Sequence, residues 1–339
     1  MKMDRRKFIK YTAATAIAAI GAGCLGGKTA SIEKLTIYSG RGEDLVGPII
    51  ARFKEATGTA VEVRYGDTAA LAATILEEGD KSPAHLFYAQ DAGALGALSK
   101  ENRLTRLSDN LLEKVEPRFR SPKGEWIGVT GRARTVDYNI KLVDKKDLPD
   151  SIWGFTDPRW AGGKIGWAPT NGSFQSFVTA LRVLEGDGRA RDWLVGILDN
   201  DPQAYPKNTP ILDALGRGEI HVGFVNNYYL HQFQATDPGF PVAHHYTKGD
   251  AGSLINIAGL GILDTAKDIA IAERFIDYML GRDAQLYYAT ETYEYPLLKG
   301  VKVVGPQKPL SEIDSPEIDL SNLDDLKGTL NLLQEVGVL

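Results

Sequence analysis

The sequence predicts an α/β protein built as two lobes joined by two extended hinge crossings. Three observations carry that expectation. Short apolar runs alternate with helical patterns from residue 34 onward, which builds a parallel sheet with helical crossovers. The alternation breaks off and then restarts after residue 164. Two long extended segments, 126–139 and 253–263, stand where a chain would pass from one lobe to the other. With 339 residues, of which 43% are apolar, the chain exceeds one ordinary core and has material for two.

The elements follow in order. Leu35-Thr36-Ile37-Tyr38 reads as a strand. Residues 43–57 place Leu45, Ile49, Ile50 and Phe53 on one helical face, with Gly58 where a helix-ending glycine belongs. Residues 61–65 form a second strand, and 68–78 a second helix ending at Gly79. Residues 85–88 form a third strand, followed by an alanine-rich helix over 92–100. Ligands of such sheets bind beyond the carboxyl ends of the strands. Those ends here are Ser39-Gly40-Arg41, Gly66-Asp67 and Gln90-Asp91. In the second unit, 164–167 is a strand, and Pro169-Thr170-Asn171-Gly172-Ser173 leads into a helix carrying Phe174, Phe177, Leu181 and Leu184 on one side. Asn208-Thr209-Pro210 opens another helix, with Thr209 at the cap and Pro210 in the first turn. Residues 220–225 are a buried strand, 266–280 a helix, and the tail an amphipathic helix striped by Leu323, Leu326, Leu330 and Leu333. The expected division is residues 34–131 with 259–300 in the first lobe, and 132–258 with 301–339 in the second.

The first residues are an address. Asp4-Arg5-Arg6-Lys7-Phe8 precedes a mild alanine-rich run that is too short to span a membrane, a pattern similar to a twin-arginine export signal. The run ends at Gly21-Ala22-Gly23-Cys24, similar to a lipobox, although Gly21 stands where a branched aliphatic residue is usual. Residues 1–23 are therefore expected to be removed, with residues 24–33 left as a tether and Cys24 carrying a lipid. That anchor would hold the protein on the outer face of the cytoplasmic membrane. Cys24 is the only cysteine, so no intrachain disulfide forms. Loss of the leader leaves 34 basic and 43 acidic residues, a net charge of −9. Such a surface does not invite nucleic acid, and no basic run or aromatic–basic alternation occurs.

The chemistry concentrates at Val225-Asn226-Asn227-Tyr228-Tyr229-Leu230. Adjacent tyrosines within a strand point to opposite faces. At a strand-to-helix junction that constraint lifts, and both phenols can converge beside a helix N-terminus. Convergent phenolates suit a hard trivalent metal such as Fe(III), which prefers anionic oxygen donors and can deprotonate a phenol at neutral pH. A half-buried packing role for the pair is the alternative. Two or three phenolates neutralise most of the charge, and the remaining positions suit a small anion. Asn171-Gly172-Ser173, at a helix N-terminus, is either a cradle for that anion or an ordinary cap. Arg41 and Arg132 could give bidentate contacts to carbonate or phosphate, or stand solvated at the surface.

The five histidines show no metal spacing, and His244-His245-Tyr246 reads as a solvated surface turn. No nucleophile elbow, phosphate-binding loop or spaced pair of acids occurs, so an enzyme is not expected. A hinged receptor of this kind could also hold an oxyanion, a polyamine or a small organic acid.

Leu35-Thr36-Ile37-Tyr38-Ser39-Gly40, residues 87–93, Gly131-Arg132-Ala133-Arg134, residues 169–174, Asn226-Asn227-Tyr228-Tyr229 and Tyr293-Glu294-Tyr295-Pro296 fall in the order seen in bacterial ferric-binding proteins. The chain resembles that family, the solute receptors of iron ABC importers, from about residue 34 to 301. The resemblance implies the periplasmic binding-protein type II fold, an ABC permease and ATPase as partners, and a monomer that closes on Fe(III) with a synergistic carbonate or phosphate. It carries the paired tyrosine ligands onto Tyr228 and Tyr229, the anion turn onto Asn171, Gly172 and Ser173, and supporting roles onto Asn208 and Arg132. Gly42 and Gln90 stand where well-known members place a histidine and a glutamate. The resemblance is therefore to the tyrosine-rich branch, which implies Tyr138 on the crossing strand as third ligand and Arg41 near the anion. Contributions from Gln90, Asp91 or Tyr65 are left open.

Overall fold

A computed structural model describes residues 34–303 and 307–339. The expected export signal, Cys24 and the tether lie outside the described residues. The chain opens with β1 (Lys34–Ser39), α1 (Glu43–Thr57), β2 (Ala60–Tyr65), α2 (Thr68–Glu78), β3 (Leu86–Ala89) and α3 (Ala92–Lys100). Helix α1 ends at Gly58 in the left-handed conformation, as the pattern predicts. Asp67 and Asp91 cap α2 and α3 by accepting hydrogen bonds from backbone N–H groups of the first turns. Short β4 (Leu104–Thr105) and α4 (Asp109–Leu112) lead to the long β5 (Trp126–Asn139).

The second unit comprises β6 (Ile165–Trp167), α5 (Gly172–Glu185), α6 (Asp187–Leu198), β7 (Gln203–Ala204), α7 (Asn208–Arg217), β8 (Val222–Asn226), α8 (Asn227–Thr236) and β9 (Val242–His245). The chain returns through β10 (Ile255–Leu263) and continues into α9 (Ile269–Met279), α10 (Arg282–Tyr287), β11 (Tyr295–Pro296) and α11 (Leu326–Glu335). Helix α7 begins one residue before the expected cap. Lys207 occupies the cap position without a side-chain bond, and the side chain of Asn208 is directed elsewhere.

The sheet runs β2-β1-β3-β10-β5-β8-β6-β7. The strands at both ends pair in parallel, whereas β10 and β5 run antiparallel to each other and to their outer neighbours. Strand β5 works in two halves. Residues 126–133 pair with β10, and residues 134–139 pair with β8 and β9. The side chains accordingly form two main cores. One gathers Leu35, Phe53, Phe87, Leu95, Trp126, Leu260 and Phe275. The other gathers Phe155, Trp160, Phe174, Phe177, Trp193 and Phe224.

The tail departs from its expected place. Ile313, Leu320 and Leu323 are buried in the first core, while Leu332 and Leu333 on α11 are buried in the second. The segment before α11 also lies against α3 so closely that a Cβ on Gly93 would fall 2.2 Å from the carbonyl oxygen of Leu323. The tail is thus a further link between the halves, not a part of one. His244 and His245 also depart from expectation. They lie on β9, and His245 is buried with Nε2 2.7 Å from the Pro149 carbonyl. All four residues of β9 pair with β5, which makes this polar-looking stretch a strand of the sheet.

Candidate metal-binding cleft

Strand β8 ends at Asn226, and α8 starts at the next residue, so Tyr228 and Tyr229 occupy its first turn. Their rings stack at 4.2 Å between centroids with 32° between planes. The junction is pinned from both sides. Asn227 Oδ1 accepts from the backbone N–H of Ala133, 2.9 Å away, which fixes α8 to the crossing strand. Asn226 does not cap α8. Its Oδ1 accepts instead from Arg134 Nη1 at 3.2 Å. The first-turn N–H groups of α8 are therefore left without a side-chain cap from Asn226.

Tyr228 is 3% exposed, and burial pushes its phenol well above the ordinary tyrosine value, with Tyr229 adding to the rise. Arg132 and Arg41 act in the opposite direction. Arg132 is buried, and its Nη1 has no hydrogen-bond partner among the described residues. Arg134 is buried as well. Burial lowers its guanidinium to about 10, against the pull of Tyr229 and Asp137. The buried Tyr228 phenol, with Arg132 and Arg41 acting on it, gains when negative charge develops on its oxygen. Arg41 lies at the same place, but it is engaged: Nη2 donates to Glu294 Oε2 at 2.6 Å, with both side chains sealed from solvent. Burial weakens the Arg41 charge, and Glu294 more than restores it. Glu294 is held further by Thr130 and Thr292, each donating a hydroxyl.

At the turn before α5, Asn171 caps the helix. Asn171 Oδ1 accepts from the Ser173 N–H at 3.1 Å, from Ser173 Oγ at 2.6 Å and from Asn208 Nδ2 at 3.3 Å. Asn208 Nδ2 also reaches Ser173 Oγ at 3.3 Å, and Arg134 Nη1 meets the same oxygen at 3.4 Å. Asn171, Ser173 and Asn208 thus form one network, joined through Arg134 to the strand end that carries the tyrosines. Gly172 is exposed, and a Cβ there would meet nothing within 4 Å. Beside the turn lies a cavity of about 670 Å³ lined from the first unit by Arg41, Gln90 and Asp91 and from the second by Asn171 and Gly172.

Tyr138 does not join this group. Its register partner on β8 is Val222, whereas Arg134 pairs with Asn226 at the tyrosine end. Four residues of strand separate the two, about 13 Å. Tyr138 is buried in the second core, where desolvation and Asp144 raise its phenol. The expectation of a third tyrosine ligand at Tyr138 is corrected on that ground. Arg134 and Glu294 are the residues the sequence reading passed over. The signal for Arg134 was the two-residue spacing from Arg132, which puts both guanidinium groups on one face of a strand. Among the described residues, no group of three or more His, Cys, Asp or Glu side chains is arranged to hold a metal.

Two α/β halves joined through a shared pair of antiparallel strands, with polar groups from both halves meeting at one cavity, define a two-lobed solute receptor. The chain belongs to the family of bacterial extracellular solute-binding proteins, whose pattern matches residues 48–309. It is 29% identical to the major ferric iron-binding protein of Neisseria meningitidis, over 94% of this chain and 98% of that one. It is 28% identical to the Fe(3+)-binding periplasmic protein of Serratia marcescens, over 93% and 94% of the two chains. Among solved structures, iron-bound HitA from Pseudomonas aeruginosa superposes with a TM-score of 0.84 at 33% identity, over 90% of this chain and 99% of that one. The Trichodesmium protein IdiA (FutA), solved with iron and citrate, gives 0.78 at 26% identity, over 90% and 99%. The fold is the type II arrangement of periplasmic binding proteins. No helix among the described residues is long and apolar enough to cross a membrane.

Proposed function

We propose that this protein captures ferric iron between its two lobes and hands it to an ABC importer. The observation that carries this reading is the stacked Tyr228–Tyr229 pair at the N-terminus of α8, backed by Arg132 and Arg134. Tyr228 and Tyr229 are the metal ligands, each giving up its phenol proton as iron binds. A synergistic anion, carbonate or phosphate, completes the shell, held by Arg132 and the Asn171–Gly172–Ser173 turn with Asn208 in support. Arg132 suits that role because a buried guanidinium nitrogen lacks a partner there. Arg41 acts through charge, since Glu294 already takes its strongest bond. The names of the relatives, ferric iron-binding and Fe(3+)-binding proteins, agree with this cargo. No catalytic step is involved. Export by the twin-arginine route and a lipid on Cys24 would place the receptor beside its permease on the outer face of the cytoplasmic membrane.

Adding Fe(III) with bicarbonate to the purified protein is expected to give a phenolate-to-iron charge-transfer colour that survives desalting. A protein that stays colourless and retains no metal after desalting would overturn the assignment.

A further inference from the structure

Strand β5 is buried along its whole length, and Asp137 is its one carboxylate. Oδ1 of that carboxylate faces His244 Nδ1 at 2.6 Å, and Oδ2 has no hydrogen-bond partner among the described residues. The pairing of β5 with β9 sets His244 opposite Asp137, and α8 brings His231 against His244. The two Nε2 atoms stand 3.4 Å apart, with 76° between the ring planes. None of these three residues lines the cavity of the cleft.

A carboxylate taken out of water needs several partners to offset its desolvation, and among the described residues Asp137 meets only His244. Facing that carboxylate, His244 Nδ1 donates its proton, which leaves the lone pair of Nε2 turned toward His231. As a hydrogen bond between two rings, 3.4 Å is long. As the span between two metal ligands it fits, since nitrogens about 2.0–2.1 Å from a tetrahedral Zn(II) stand about 3.3–3.4 Å apart. A carboxylate behind a ligating imidazole is the arrangement that fixes tautomer and ring orientation at zinc sites. His231 offers a lone pair at Nε2 once its proton sits on Nδ1. That atom makes no hydrogen bond among the described residues, and the ring lies within reach of Gln234, one turn on.

We propose that His231 and His244 form a second metal site, for a divalent cation that prefers imidazole, Zn(II) above all, distinct from the tyrosine pair. Asp137 orients His244 and offsets part of the charge of the cation. Water fills the remaining positions, entering on the side where the His244 side chain is 12% exposed. Two protein ligands are fewer than a permanent structural site has, so the ion exchanges with solvent. The site does not depend on the ferric reading.

The test is calorimetric titration of the full chain with Zn(II) alone. Because phenols also take up metals, it is run both on the unaltered protein and on a Tyr228→Phe, Tyr229→Phe double variant. The double variant is expected to bind one zinc. In that background His231→Gln and His244→Gln are each expected to abolish the binding. Asp137→Asn keeps the shape behind His244 but loses the charge, and is expected to weaken zinc by about 10–100-fold. A readout that needs no histidine variant comes from Co(II), which should give the double variant the intense visible absorption of a four-coordinate ion, erased by added Zn(II). Zinc that disappears with the tyrosine pair, zinc retained by both histidine variants, or Co(II) that shows only the weak colour of a six-coordinate ion would overturn the proposal.

Discussion

Glu294 shows what a buried charge does when its partners are fixed. Its two oxygens accept from Arg41, Thr130 and Thr292, and the Arg41 contact joins the end of β1 to a segment 253 residues later. Glu294→Gln keeps the shape and removes the charge, which leaves Arg41 buried and uncompensated. The expected loss is about 3–5 kcal/mol of folding stability, read from denaturant midpoints. A shift below 1 kcal/mol would mean that the pair is solvated in solution. His245 gives a pH signature of its own. Burial lowers its pKa below the ordinary value, although the bond to the Pro149 carbonyl pulls the other way. The folded protein therefore binds fewer protons than the unfolded chain once the pH drops beneath about 6.5. Stability is fully present above that value and is lost as the pH falls toward the folded pKa, by at most about 1.4 kcal/mol per pH unit. His245→Gln should flatten this slope between pH 7 and 5, measured by urea unfolding. An unchanged slope would assign it to other groups.

At the scale of elements, helices were the most legible features. α1, α2 and α3 occupy the residues that periodicity and terminal glycines predict, and β5 spans the full expected 126–139. The tyrosine junction was legible too, because a short apolar strand running into a helix start is a local signal. What failed was not local. Tyr138 looked available because β5 crosses between lobes, but which end of a strand faces the cleft is set by its pairing with β8, and register is a tertiary fact. β9 read as a turn for a similar reason: its histidines are polar, and only pairing with β5, with the Pro149 carbonyl for His245, draws them into the sheet. The tail was assigned whole to one lobe because a single leucine stripe cannot show that its early leucines insert elsewhere. Gly96 makes the tail's docking testable. A Cβ there would lie 2.3 Å from the Ser321 carbonyl oxygen, which is backbone and cannot rotate away. Gly96→Ala, which would otherwise favour the helix, should instead destabilise by about 1–3 kcal/mol. A stabilised variant would show that the tail does not sit against α3.

Over the whole molecule, every connection between the halves bears on capture. β5 and β10 pair with each other along the middle of the sheet, and the tail adds a further link. It is fastened at both sides, its Asp324 to Lys100 of α3 and its Asp325 to Arg182 of α5 at 2.9 Å. A cargo bound where the halves meet stabilises the folded chain by mass action, about 2.7 kcal/mol at a hundredfold excess over the dissociation constant. Thermal unfolding with Fe(III) and bicarbonate should therefore show a raised midpoint, and bicarbonate alone should not reproduce it. Equal shifts from the anion by itself would make the anion, not the metal, the cargo.

In the proposed site two neighbouring phenols, and not a third on the crossing strand, hold the metal. The most direct measurement is iron affinity by citrate competition, made in parallel on the unaltered protein, Tyr228→Phe and Tyr138→Phe. Tyr228→Phe is predicted to lose retained iron and its colour, while Tyr138→Phe keeps affinity within about twofold, as expected of a core side chain that loses only a hydroxyl. Iron retained by Tyr228→Phe, or lost from Tyr138→Phe in a folded protein, would contradict it.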